Sequence, residues 1–535
     1  EQAAAAGDLD EVIVTGFRES LRSAIDTKRN ANEIVDVVKA EDIAQFPDLN
    51  LAESLQRVPG VSIDRDGGEG RSIVVRGLGP DFTRVRLNGM EAMATTGGTD
   101  GSGGANRGRG FDFQVFASEL FSSISVKKSA SAATEEGSLG ATVDLRTGRP
   151  FDYDGKVFAT SAQLGYNDLS QKTDPRATLL LSNKFFDNKL GALFSVAYSN
   201  RKLIDEGSST GRWENGITQT SGGLFTGRTA TDPVSLAYHP RIPRYGRIVY
   251  DQKRTGATAS FQFQATPSTL LSLDTVYARL SGQRTEQYLE IISFSRGGQG
   301  NPQTTILNPV ISPTGDIVSA TFNKVDARTE NRLDTYTNTM SETALTLNQE
   351  FGDRTKLDVL VGKARSVNDN PIQTTVTLDR YDTNGYSYDY SGNSRLPVFN
   401  YGFDVTNPAN WLFSASTAAG DASLIRMRPN KTTNEFSNAT ADLSFKLTDV
   451  VTLRGGLAWK DYDFATIEAR RSSTSEAAVA LPAGVTVAQV STLLTGFGRG
   501  LNVGGTPTSW LMPSLDAIAG ALDINCNCIN TYGDF

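Results

Sequence analysis

The sequence predicts an antiparallel membrane β-barrel that follows a mixed α/β region of residues 1–150. After Pro150, segments of roughly ten residues, such as 439–447, alternate apolar with polar side chains, and ten residues is about the length that a tilted strand needs to cross a bilayer. Short turns alternate with connections of roughly fifty residues, far longer than the usual loops of soluble domains. Short turns at one end of the strands and long loops at the other are typical of an outer-membrane barrel.

The α/β region contains one predicted helix and several predicted strands. Residues 51–58 carry apolar side chains at helical spacing, with Asn50 as the N-cap and Pro59–Gly60 as the end of the helix. The Asn88–Gly89 pair predicts a tight turn between two strands. Helix and strands together predict a separate domain ahead of the barrel.

Nine strands are predicted after residue 150: one near Val157–Tyr166, then four hairpins. Bacterial single-chain barrels have an even number of strands, and no sheet edge can stay unpaired in lipid. We therefore expect residues 151–535 to be the N-terminal part of a barrel that a second fragment or further polypeptide completes. A soluble β-sandwich also alternates apolar and polar residues, but would have shorter loops and strands of about five or six residues.

Composition excludes several classes of function. The net charge of −8 argues against a nucleic-acid partner. The chain has a single histidine, His239, so it cannot form a metal centre with several histidines. A histidine-based catalytic triad would have to use His239. Cys526 and Cys528 could form a disulfide, contribute half of a metal site or remain thiols. No nucleophile elbow or metal-ligand pattern is present, so we predict no enzyme, no cofactor and no metal.

Most of residues 9–150 is made up of three motif-bearing stretches: EVIVTGFRESLRSAIDTKR, FPDLNLAESLQRVPGVSIDRDGGEGRSIVVRGLGPDFTRVRLNGMEA and SLGATVDLRTGRPFD. Together they resemble the plug of a TonB-dependent outer-membrane receptor. The resemblance is strongest to the subgroup common in aquatic and plant-associated proteobacteria. It implies a plug of residues 17–150 inside the lumen of a barrel of about 22 strands. It also implies active uptake of a scarce nutrient across the Gram-negative outer membrane, driven through TonB and its inner-membrane complex, with lipid and lipopolysaccharide around the barrel.

The resemblance also implies a TonB box in the periplasmic tail, residues 1–16. A free strand binds a partner through its unpaired edge, and each hydrogen bond nets about 1 kcal/mol, which suits a reversible grip. The alternative is a disordered tail whose β-propensity is accidental. With the tail in the periplasm, the long loops at the other end of the barrel would be extracellular. The predicted box consists of Leu9, Asp10, Glu11, Val12, Ile13, Val14 and Thr15.

In this family, arginines of the plug face acidic residues on the barrel wall and latch the plug in place. Arg76, in VVRG, is the best match, and Arg71, Arg84 and Arg86 are further candidates. A buried guanidinium needs a carboxylate partner, and its planar fork suits one. Simple solvated strand positions are the alternative for the last three arginines.

The glycine-rich stretch 95–110 lacks the GxxxxGK(S/T) pattern, which argues against a nucleotide site. The resemblance places such loops at the plug apex, facing the substrate cavity. Asn106, Arg107 and Arg109 are therefore predicted ligand contacts. The alternative is a loop that is only flexible.

A saccharide is the predicted ligand, because aromatic faces stack on sugar rings while Asn, Asp and Gln bind hydroxyls. The long loops contain Trp213, Trp411 and Trp510, and we predict that Trp213 and Trp411 contact the ligand. A ferric siderophore is the alternative ligand, since plug arginines would attract an anion. A passive porin or structural barrel is the alternative class of function, but a porin needs neither a plug nor a TonB box.

Overall fold

The computed structural model describes residues 25–31, 33–39, 50–93, 110–132, 134–216, 225–292, 294, 304–415, 422–471 and 476–535. The α-helices are α1 (Leu51–Leu55), α2 (Pro233–Leu236) and α3 (Leu515–Leu522), and residues 25–30 are helical as well. The strands before residue 150 are β1 (Val35–Lys39), β2 (Val61–Asp66), β3 (Glu69–Val75), β4 (Thr83–Leu87), β5 (Met90–Glu91), β6 (Phe121–Lys127) and β7 (Ala141–Thr147).

The strands after residue 150 are β8 (Val157–Asn167), β9 (Lys172–Phe185), β10 (Leu190–Ser209), β11 (Trp213–Glu214), β12 (His239–Pro240), β13 (Arg244–Thr266), β14 (Thr269–Ile291), β15 (Thr305–Ile311), β16 (Ile317–Asn323), β17 (Val325–Phe351), β18 (Thr355–Thr383), β19 (Tyr386–Asp389), β20 (Val398–Asn400), β21 (Ile425–Met427), β22 (Asn430–Lys446), β23 (Thr452–Glu468), β24 (Ser491–Leu494) and β25 (Trp510–Pro513). None of the described helices has the length and apolar character needed to span a membrane.

The N-terminal region, residues 25–150, is built around a five-stranded sheet in the order β1-β6-β7-β4-β5. Strands β4 and β7 run parallel, and the other neighbours run antiparallel. The Asn50 side chain accepts hydrogen bonds from the backbone N–H groups of Ala52 and Glu53, which confirms the predicted N-cap of α1. Asn88 and Gly89 both have positive φ, 48° and 93°, and turn the chain from β4 into β5 as predicted.

The nine long strands of the second region form one antiparallel sheet, the wall, in the order β8-β9-β10-β13-β14-β17-β18-β22-β23. Short turns at 186–189, 267–268, 352–354 and 447–451 join four hairpins at one end of the wall, the turn end. The nine long strands and their four hairpins are therefore as predicted, whereas the shorter strands within the connections were not predicted. Within the described residues β8 and β23 are the two edges, and the sheet does not close.

The two faces of the wall differ in chemistry. One row of cross-strand neighbours on the outer face consists of Phe261, Leu273, Leu345, Val361 and Trp459, joined through Ala439. These five side chains are between 39 and 58% exposed. A continuous exposed apolar row on a sheet is the arrangement that lipid covers in an outer-membrane barrel.

The adjacent row on the inner face is small or polar. It consists of Ser260, Asp274, Ala344, Gly362 and Asn438, and the four of these side chains that are not glycine are at most 3% exposed. Because side chains alternate along each strand, this row faces the side of the wall on which the N-terminal region lies. The alternation seen in the sequence therefore separates a lipid-type face from a packed, polar face.

The long connections at the other end of the wall, the loop end, fold together around an apolar core. This loop core includes Phe294, Tyr386, Trp411 and Trp510. Cys526 and Cys528, in the last of these connections, form a disulfide, which decides between the alternatives left open by the sequence.

Candidate functional site

The N-terminal region packs directly on the inner face of the wall. Its apolar cluster includes wall residues from β14, β17, β18 and β22, among them Val276, Met340 and Phe436. Two glycines allow the closest approach, because a Cβ on Gly256 would overlap Leu120 and a Cβ on Gly362 would overlap Met90. Small residues on the wall are thus part of the fit between the two regions.

A buried ion-pair cluster, the Glu69 clamp, joins the same two surfaces. Glu69, at the start of β3, lies 2.6 Å from Arg254 and 3.0 Å from Arg201, which project from β13 and β10. The Glu69 side chain is 3% exposed. Burial alone would raise the pKa of Glu69, but the two guanidiniums and Asn50 outweigh it, so the pKa lies below its ordinary value. The carboxylate therefore stays charged and holds two wall strands at once.

Three further hydrogen bonds, two of them to backbone carbonyls, extend the clamp. The Nε of Arg254 donates to the carbonyl of Gln114 at 2.6 Å, and Arg201 donates to the carbonyl of Gly67 at 2.9 Å. The Tyr250 hydroxyl donates to Asp66 at 2.9 Å. The β2–β3 hairpin is thus gripped on both sides of its turn.

Four further polar contacts tie other parts of the N-terminal region to other strands of the wall. Each pairs an acid with a base or a phenol. They are Arg176 with Glu119 (Nη2 to Oε2, 2.6 Å), Arg149 with Asp274 (2.6 Å), and the Tyr462 hydroxyl with Glu91 (2.7 Å), beside which Lys460 pairs with Glu135.

Comparison with known proteins decides what the N-terminal region is. Residues 27–142 match the family model described as the TonB-dependent receptor plug domain. The chain carries the plug of a TonB-dependent outer-membrane receptor. The predicted fold, a plug with an antiparallel β-sheet wall, is confirmed, with the sheet open in the described residues.

A curated relative and two solved structures complete the comparison. Over 149 residues the chain is 28% identical to the ferric enterobactin receptor PirA of Pseudomonas aeruginosa. The matched stretch covers 27% of this chain and 19% of that receptor. The match thus spans about a fifth of the relative's length. The ferric preacinetobactin receptor BauA of Acinetobacter baumannii gives 12% identity over 83% of this chain and 60% of that one, at a TM-score of 0.34. The ferric-catecholate import receptor Fiu of E. coli gives 13% identity over 85% of this chain and 60% of that one, at a TM-score of 0.38. At these TM-scores the two structures do not assign a ligand or a role to this chain.

The four arginines predicted to latch the plug make their described contacts inside the plug. Arg76 donates to the carbonyl of Lys128, Arg71 pairs with Asp66 and Asp112, Arg84 with Glu91 and Glu135, and Arg86 with Asp144. Arg71, Arg84 and Arg86 meet carboxylates of the plug: the parallel pairing of β4 with β7, for example, sets Arg86 opposite Asp144. That these arginines latch the plug to the wall stays a prediction. Most described contacts between plug and wall pair an acid of the plug with a base or phenol of the wall, whereas Arg149 is a plug arginine that pairs with an acid of the wall, Asp274.

The remaining predicted residues are placed as follows. The TonB box, residues 9–15, and the apex residues Asn106, Arg107 and Arg109 lie outside the described residues. Trp213 is 40% exposed and packs edge-on against Tyr390. Trp411 is 2% exposed, and its indole N–H donates to the carbonyl of Val405, so it is a core residue of the loops in this structure.

Asp112 is expected to make the stability of the plug depend on pH. Burial raises its pKa to about 6, against the opposing effects of Arg71 and the backbone N–H of Gln114. A carboxyl with a raised folded pKa binds its proton more tightly when folded, so stability falls as pH rises from about 4 to about 6. Asp112→Asn should remove this slope and raise stability at pH 7.5 by on the order of 2–3 kcal/mol.

Thermal unfolding of the detergent-solubilised receptor at pH 4.5 and pH 7.5 measures this effect. Asp154→Asn, at an exposed position, is the matched control and should leave the slope unchanged. An identical pH slope in the wild type and in Asp112→Asn would contradict the assignment.

Proposed function

We propose that this receptor imports a nutrient across the outer membrane, with TonB pulling on residues 9–15 to displace or remodel the plug. The observation that carries the proposal is a plug domain, matched over residues 27–142, seated on the inner face of a lipid-type wall. Ion pairs and small-residue contacts hold the plug without covalent links, so force can separate and restore them. A passive pore would have no use for such a plug.

We propose further that the wall is part of a closed barrel around the plug. An unpaired backbone group in hydrocarbon costs several kcal/mol, and β8 and β23 are both edges in the described sheet. Side chains on both faces of β23 are exposed, as expected if more strands belong beside it. A second fragment or further polypeptide would supply these strands.

Two ligand classes have support. The curated relative is a ferric enterobactin receptor, which supports a ferric siderophore as the ligand. The saccharide prediction loses part of its basis, because Trp411 and Trp510 are buried in the loop core and Trp213 alone of the three is well exposed. The comparisons therefore favour a ferric siderophore over a saccharide.

Growth of a deletion strain tests the function and separates these ligands. We expect the strain to lose growth on one source in a panel of ferric siderophores, as sole iron source, and oligosaccharides, as sole carbon source. Transport of that labelled compound should also stop in wild-type cells treated with a protonophore. Normal growth of the deletion strain on every source, or uptake that a protonophore does not affect, would contradict energised import.

A further inference from the structure

Five asparagines form a contiguous patch on the inner face of the wall, across three neighbouring strands. Asn338 on β17 lies opposite Asn368 on β18, and Asn370 on β18 lies opposite Asn430 on β22. Asn434, four residues along β22, lies diagonally next to Asn368. We call these five residues the amide patch. All five side chains are at least nine-tenths buried.

The patch adjoins the surface on which the plug rests. Phe436, two residues from Asn434 toward the turn end, belongs to the apolar cluster of the plug, as do Ala364 and Met340 on the neighbouring strands. The patch therefore begins where the apolar plug contacts of β17, β18 and β22 end, in the same cross-strand row as Arg254 of the Glu69 clamp.

Among the residues that the structure describes, three oxygens of the patch meet no hydrogen-bond donor. These are the side-chain carbonyl oxygens of Asn368, Asn430 and Asn434. Buried polar atoms are almost always paired, and each one left unpaired loses its contact with water without compensation. Apolar residues of similar size would avoid this loss, so their absence at three adjoining positions needs a reason other than stability.

We propose that the amide patch binds a part of the ligand that carries several uncharged hydroxyl groups, an inference that rests on the proposed import function. Hydroxyls donate the hydrogen bonds that the three carbonyl oxygens lack, and the amide NH₂ groups can donate back to the hydroxyl oxygens. The five residues themselves carry no charge, and the ionised group beside them, Asp334 at 3.4 Å from the Asn370 amide nitrogen, is an acid already paired with Arg332. Hydroxyls of this kind occur on a neutral oligosaccharide and on the sugar groups of a glycosylated siderophore.

The test compares two leucine substitutions with a matched control. Asn368→Leu combined with Asn434→Leu keeps side-chain size and removes the amides. If that variant does not insert into the membrane, Asn368→Ala combined with Asn434→Ala takes its place. Ser437→Leu, on the outward-facing side of the same strand β22, is the control. Probes are maltotriose, xylotriose, ferric enterobactin, and ferric enterobactin that carries glucose groups. Binding to the purified receptor is measured by calorimetry, and uptake by cells with labelled probe.

We expect a sugar-bearing probe to bind, and the paired substitutions to weaken that binding about tenfold or more, while Ser437→Leu has no effect. Binding of a trisaccharide identifies an oligosaccharide ligand, and binding of the glucosylated chelate alone identifies a glycosylated siderophore. The proposal is overturned if no sugar-bearing probe binds, or if the substituted receptors bind it as the wild type does. Protonophore-sensitive uptake of plain ferric enterobactin, unchanged by the substitutions, would overturn this proposal and leave the import function standing.

Discussion

Replacing Glu69 by glutamine is expected to loosen the plug on the wall and make the outer membrane permeable to large antibiotics. The substitution leaves Arg254 and Arg201, whose side chains are 7% and 18% exposed, with no carboxylate in the clamp. Removing one partner of a buried ion pair costs about 3–5 kcal/mol, because the other charge stays buried without compensation. Vancomycin sensitivity and single-channel conductance in planar bilayers measure the loosened plug directly.

Glu136→Gln is the matched control, since Glu136 is an exposed plug residue and exposed charges contribute about 0–1 kcal/mol. The double substitution Glu69→Gln with Arg254→Gln should recover part of the loss, because it removes one uncompensated charge along with the carboxylate. Equal vancomycin sensitivity in Glu69→Gln and Glu136→Gln would show that the clamp does not hold the plug.

Periodicity predicted the wall well because it is a local property of the chain. Apolar and polar residues alternate in 439–447 whatever the rest of the protein does, and turns such as 447–451 are short enough to fix which strands pair. The N-cap at Asn50 and the turn at Asn88–Gly89 were predictable for the same reason, since each depends only on residues that are close together in the sequence.

The polar contacts of the plug were not predictable from local pattern. Arg86 and Asp144 are 58 residues apart in sequence, and Glu69 is 185 residues from Arg254. Nothing in the sequence states which acid meets which base. The one local signal for Glu69 is its place in DGGEG, a charged residue beside a tight glycine turn, and that context alone does not distinguish a clamp from a solvated loop.

Burial of the loop tryptophans was also beyond the sequence. Long polar connections predict solvated loops, but here they share a core in which Trp411 and Trp510 are fully packed. An aromatic residue in a loop serves either a ligand or the fold of the loop itself, and its neighbours decide which. Those neighbours come from connections far apart in sequence, so only the three-dimensional arrangement separates the two roles.

Deleting residues 9–15 is expected to reduce accumulation of the nutrient to the level seen with a protonophore, while binding at the cell surface keeps its wild-type affinity. The predicted box is a short strand that pairs with its partner through backbone hydrogen bonds, so a single proline should have nearly the same effect. Val12→Pro removes one backbone N–H and blocks strand pairing. Ala5→Pro, upstream of the box, is the control. Uptake that survives the deletion would refute TonB-dependent transport.

Combining Glu69→Gln with deletion of residues 9–15 also separates the holding of the plug from its movement by TonB. If the Glu69 clamp resists the pull on the box, then Glu69→Gln in a receptor without residues 9–15 should let the nutrient leak inward down its gradient. It should not restore accumulation against a gradient, because accumulation needs the energy that TonB delivers through the box. Transport assays at high and low external nutrient distinguish the two results. Recovered accumulation in the double variant would mean that the box is not the point where energy enters.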